Sequence, residues 1–120
     1  MDVPALRLYC LAKPATSADF PFGSDVLALR VGKKIFALVA LDESPPRVNL
    51  KCDPLLAMEL RERYPGVTPG YHMNKAHWNT VTLVGVPERE LRAMIDHSYE
   101  IVLKGLSRRK RETIGAKRAD

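Results

Sequence analysis

Nine prolines constrain this chain more than any other feature, because each falls where a helix or strand would have to begin or end. Proline fixes φ and lacks an N–H, so it is tolerated in a first helical turn or between elements and breaks an interior. Asp2 before Val3-Pro4 predicts an N-cap and a first helix that carries Leu6, Tyr9, Cys10 and Lys13 and stops before Pro14. A loop with Phe20-Pro21-Phe22-Gly23 follows. Val26 to Val31 and Ile35 to Leu41 read as strands joined at Gly32-Lys33, the second apolar on both faces and therefore central. Beyond the turn from Asp42 to Pro46, Arg47 to Cys52 alternates. Val48, Leu50 and Cys52 point one way, and Arg47, Asn49 and Lys51 the other. Asp53-Pro54 predicts a second capped helix, burying Leu56, Leu60 and Tyr64 and ending at Pro65-Gly66. An irregular polar segment from Val67 to about Ala76 precedes a strand from Trp78 to Val84, with Val81 and Leu83 inward and Thr80 and Thr82 outward. Pro87 opens the last helix. Glu88 and Glu90 sit near its positive end and Lys104 near its negative end, and Leu91, Ile95, Ser98, Val102 and Leu106 share one face.

This order, helix, three strands, helix, one or two strands, helix, predicts an α+β two-layer sandwich. Its sheet is mostly antiparallel, with the helices on one face. A chain of 120 residues with 46% hydrophobic and 28% charged residues suits one ordered domain, here residues 1–106, followed by a basic tail at 107–120. That tail holds six basic and two acidic residues, so it supplies four of the five net positive charges and leaves the body nearly neutral. A basic end of this kind attracts polyanions or is simply solvated. No apolar run has the length of a membrane span, and Met1-Asp2 lacks the layout of a signal peptide, so a cytoplasmic protein without membrane partners is expected. A monomer is expected over an obligate oligomer. Cys10 and Cys52 lie far apart and outside any Cys-x-x-Cys pair, which predicts two buried, reduced thiols.

The segment from Pro69 to Asn79 concentrates the chemistry. It contains the single tryptophan, two of the three histidines, and a lysine. Lys75 and His77 suit phosphate contacts, and Tyr71 and Trp78 suit stacking on bases. The competing reading is architectural: Trp78 as a rim anchor, with Asn74 and Asn79 bonding local backbone. His72 and His77 lack the i, i+4 spacing of a helical metal pair, and His97 beside Asp96 reads as solvent-facing, so neither a metal nor a cofactor is expected. No Gly-x-Ser-x-Gly, phosphate-loop or dinucleotide fingerprint is present. Cys52 falls on the inward face of its strand, where a thiol is usually inert, so no enzymatic activity is expected.

Several motifs follow one another along the chain. Leu8-Tyr9-Cys10 and Lys13-Pro14 come first, then Phe20-Pro21-Phe22-Gly23, Gly32-Lys33-Lys34-Ile35-Phe36-Ala37 and Asn49-Leu50-Lys51-Cys52-Asp53-Pro54. His72-Met73-Asn74-Lys75-Ala76-His77-Trp78-Asn79-Thr80-Val81 and Ser98-Tyr99 complete the series. In this order the chain resembles the bacterial MmcQ/YjbR family over nearly its whole length to about Arg111. It departs at Ala15, where the family commonly has glycine. The resemblance implies a compact frataxin-like (CyaY-like) domain and, by analogy of shape, DNA binding through a paired-wing surface, with no enzymatic activity to carry over. The candidate contacts it implies are Lys51, Asn74, Lys75, His77 and Trp78. Tyr71, His72 and the basic tail residues Arg108, Arg109, Lys110 and Arg111 join them on chemical grounds, as does Arg47 beside Lys51 on the outward basic face of its strand. The iron site of frataxin is not carried over, because Asp2 is the only acid before Asp19. A protein-interaction or small-ligand module without a nucleic-acid role stands as the alternative.

Overall fold

The computed structural model describes the backbone of residues 1–70 and 73–119, with side chains as far as 115. The order of elements is α1 (Val3–Leu11), β1 (Thr16–Asp19), β2 (Val26–Val31), β3 (Lys34–Ala40), β4 (Arg47–Lys51), α2 (Pro54–Arg63), β5 (Val67–Pro69), β6 (Trp78–Thr82), α3 (Glu88–Lys104) and α4 (Arg108–Ala119). The α+β class and the order of the main elements agree with the sequence reading. The edge strand β1 and α4 are additions, and β5 and β6 are the one or two strands expected after α2. The strands form one antiparallel sheet in the order β1-β2-β3-β4-β6-β5. β1 has the weak strand composition Thr-Ser-Ala-Asp. β5 ends in Pro69, which an edge strand tolerates because its N–H side needs no partner.

Cross-strand partners share a face, so the register identifies the core. Leu27 and Leu29 of β2 align with Val39 and Ala37 of β3, which align with Val48 and Leu50 of β4, then Val81 and Asn79 of β6. These side chains are buried, and α3 covers them with Leu91, Ile95, Ser98 and Val102. Burying each large aliphatic side chain contributes about 1.5–3 kcal/mol. On α2 the deeply buried residues are Ala57 and Leu60, with Leu56 and Tyr64 only partly covered. The opposite sheet face carries Arg47, Asn49, Lys51, Thr80 and Thr82 and remains partly exposed.

The register shifts between Leu29 and Arg30, so Phe36 is a bulge residue without a ladder partner. Ser98, fully buried on α3, resolves the interruption. Its hydroxyl donates to the Phe36 carbonyl at 2.6 Å and accepts from the Lys51 N–H at 2.9 Å. The seam between α1 and α3 is polar. Tyr9 Oη donates to Asp96 at 2.7 Å, Lys13 Nζ pairs with the same carboxylate oxygen, and Lys13 lies over the rings of Tyr9 and Tyr99. Desolvation and the Asp96 carboxylate push the Tyr9 phenol up to about 12.

The segment read as a basic tail forms α4, and Ile114 of that helix is buried with the core. Leu106 packs 3.2 Å from where a Cβ on Gly32 would stand, at a turn where that glycine has φ +61°. Among the described residues no helix is long and apolar enough to cross a membrane.

Candidate functional site

Strand register gives the sheet two distinct ends. Val31 aligned with Lys34, and Lys51 aligned with Trp78, mark one end. Val26 aligned with Ala40, and Arg47 aligned with Thr82, mark the other. Cations are concentrated at the first. The first end holds the Lys33-Lys34 turn, Lys51, the C-terminus of α3 with Lys104, and the start of α4. Lys33, Arg109 and Lys110 line one shallow surface there, together with Ala15 and Ile114. The acids near this end include Asp53, Asp96 paired with Lys13, Glu100 one turn before Lys104, and Glu112, which accepts from Arg108 at 3.2 Å. The second end has Asp42 and Glu43 after β3, Asp25 before β2, and Glu88 and Glu90 in the first turn of α3, together with the cations Arg47, Arg63, Arg89 and Arg92, the last paired with Glu88.

The sequence-predicted contacts divide accordingly. Lys51 and the half-buried Trp78 are direct cross-strand neighbours on the open face, as their alternation requires. His77 is exposed and next to them, because its carbonyl accepts the Cys52 N–H at 2.8 Å. Asn74 and Lys75 are exposed in the same loop. Arg108, Arg109, Lys110 and Arg111 are exposed along the first turn of α4. Tyr71 and His72 lie outside the described residues.

The loop is also architecture, as the competing reading held. Asn74 Oδ1 accepts the Ala76 N–H at 3.0 Å, and the Asn74 carbonyl accepts from the N–H groups of His77 and Trp78. Asn79 does something else. It is buried and accepts from Arg61 Nε at 2.7 Å, while its amide donates to the Ala57 carbonyl. Arg61 Nη2 also donates to the Lys75 carbonyl, so one guanidinium ties α2 to the loop and to β6. Gly70 fits because a Cβ there would stand 3.1 Å from the Trp78 Cβ. Sequence reasoning missed Arg61, since nothing in its helical spacing marks it as the buried partner of Asn79.

His97 is half-buried rather than solvent-facing, and its Nε2 accepts the Asp53 N–H at 3.1 Å. It lines a cleft of about 140 Å³ between α2 and α3, which no sequence motif announces. Cys10 and Cys52 are free and buried; burial pushes the Cys10 thiol up to about 12 and the Cys52 thiol up to about 11. Thiols held so far above neutrality are poor nucleophiles. Among the described residues, no three His, Cys, Asp or Glu side chains are grouped to hold a metal ion.

Comparison with known proteins agrees with the fold. The "Uncharacterized protein YjbR" of Escherichia coli K12 is 35% identical over 115 residues, covering 95% of this chain and 98% of the relative. The "Uncharacterized protein YbdF" of Escherichia coli O157:H7 is 35% identical over 105 residues, covering 87% of this chain and 86% of its own length. A crystal structure from Deinococcus radiodurans with the family domain DUF419 superposes with a TM-score of 0.89 at 38% identity, covering 95% of this chain and 88% of the other. A Pseudomonas syringae protein superposes with a TM-score of 0.72 at 28% identity, covering 84% of this chain and 98% of the other. The YjbR family model matches residues 11–101. That match spans the motifs from the end of α1 to α3, and with relatives this similar over nearly their whole length the chain belongs to the YjbR, or MmcQ/YjbR, family.

Proposed function

We propose that the protein is a non-catalytic, cytoplasmic nucleic-acid-binding module that holds DNA by its phosphate backbone at the basic end of the sheet. The observation that carries this reading is the clustering of cations: Lys33, Lys34, Lys51 and the Arg108–Arg111 run share one end of the molecule. A body with almost no net charge then presents a strongly positive surface where it matters. Trp78 beside Lys51 adds a stacking face next to a phosphate contact, the combination that sequence-tolerant single-strand binders use. Contacts of this type release counterions, so affinity falls steeply with salt, by a slope of about −0.9 per phosphate neutralised.

Fluorescence anisotropy of labelled single- and double-stranded DNA over a salt series tests the reading. Binding is expected at low salt, weakening as salt rises, and a Lys75→Ala/Trp78→Ala variant is expected to bind single strands more weakly by about 1–3 kcal/mol. Because Ile114 is buried with the core, neutralising Arg109 and Lys110 in the full chain is a cleaner probe of α4 than deleting the helix. Absence of binding at low salt contradicts the proposal.

A further inference from the structure

The cleft between α2 and α3 is a second surface with chemistry of its own. Its position follows from topology: α2 starts after β4, at the basic end of the sheet, and runs toward the other end. α3 starts after β6 and runs the opposite way. The bond from the Asp53 N–H to His97 Nε2 fixes the two helices side by side at one end of the cleft. Leu56, Leu60 and Arg63 then face Glu90, Ala93, Met94 and His97, each set at helical spacing. The floor is the sheet surface at Leu50, Val81 and Asn79, whose amide is already bonded to Arg61 and the Ala57 carbonyl, with Lys51 and Cys52 at the end near His97. At about 140 Å³ the space matches an engineered apolar cavity of roughly 150 Å³ that takes up benzene.

The antiparallel run of the helices brings Arg63, in the last turn of α2, and Glu90, in the first turn of α3, to the same mouth. Among the described residues, neither side chain is ion-paired or hydrogen-bonded, to the other or to a third group. An apolar chamber whose mouth carries one unpaired cation and one unpaired anion is complementary to a small ligand with an apolar body and both charges at one end. We propose that this cleft binds a free apolar α-amino acid of the size of leucine or methionine. Its side chain sits among Leu56, Leu60, Val81 and Met94, its carboxylate meets the Arg63 guanidinium, and its ammonium meets Glu90. The fork of a guanidinium suits a carboxylate, and the mixed mouth disfavours ligands carrying only one of the two charges.

Isothermal titration and amide chemical-shift mapping of the full chain with L-leucine test this. Two isosteres accompany it: 3-methylbutanoate, which lacks the ammonium, and 3-methylbutylamine, which lacks the carboxylate. Leucine is expected to shift amides of α2 and α3, with each isostere binding about tenfold more weakly or worse. Arg63→Ala is expected to weaken leucine binding roughly 10- to 100-fold. Ala93→Phe, which fills the chamber from an exposed position, is expected to abolish it while the thermal midpoint stays close to that of the parent. No response to leucine at millimolar concentration overturns the proposal. So does equal binding of 3-methylbutanoate, or leucine binding that survives Ala93→Phe.

Discussion

Ala15 sits at φ 60°, in the left-handed region where a Cβ crowds the following carbonyl and glycine is at ease. The position cannot relax freely, because the Ala15 carbonyl accepts the Gly32 N–H at 3.0 Å and fixes the turn against the β2–β3 hairpin. Ala15→Gly is therefore expected to raise stability by about 0.5–1 kcal/mol in urea denaturation, against the usual direction of an alanine-to-glycine change. Ser98→Ala acts the other way. It leaves the Phe36 carbonyl and the Lys51 N–H without their bridge in a buried place, at a cost of about 1–3 kcal/mol in the same measurement. The thiols and Tyr9 give a pH dependence whose sign is fixed. Their native values near 11–12 lie above the ordinary 9 for cysteine and 10 for tyrosine, so the unfolded chain loses these protons first as pH rises. Stability from these groups is complete below about pH 9 and is lost progressively toward pH 12, and Cys10→Ala is expected to flatten that alkaline decline.

At the scale of elements, what could be read in the sequence tracks how local the determinant is. Both N-caps, Asp2 on Ala5 and Asp53 on Leu56, stand where the Asp-x-Pro and Asp-Pro signals place them. The alternation in Arg47 to Cys52 and from Trp78 onward gives the correct inward faces, because period-two burial is a property of the strand itself. β1 and the position of β5 were not legible, since edge strands of three or four residues owe their structure to a neighbour rather than to their own composition. The Tyr71–Trp78 segment announced itself by composition, whereas the cleft between α2 and α3 did not, because its lining comes from four elements brought together only by the fold. Arg61 is the long-range tie that composition hides. Arg61→Ala removes the bonds to Asn79 and to the Lys75 carbonyl, and faster hydrogen exchange across residues 73–78 is expected together with a loss of about 1–2 kcal/mol. Unchanged exchange in that loop would show that its Asn74 turn is sufficient alone.

For the molecule as a whole, the distribution of charge matters more than its sum. A formal charge of +5 is modest for a nucleic-acid binder, but the fold gathers lysine and arginine from the β2–β3 turn, β4 and α4 at one end. Lys51 and Arg47 provide an internal control. They occupy the two ends of the same strand, point to the same open face, and carry the same charge. The most direct measurement is DNA affinity over a salt series for Lys51→Glu and Arg47→Glu in otherwise identical protein. The cation-clustering account predicts that Lys51→Glu weakens binding and reduces the salt slope by about one, while Arg47→Glu changes both little. Equal losses from the two reversals would mean attraction to overall charge alone, and a larger loss from Arg47→Glu would place any binding surface at the wrong end of the sheet.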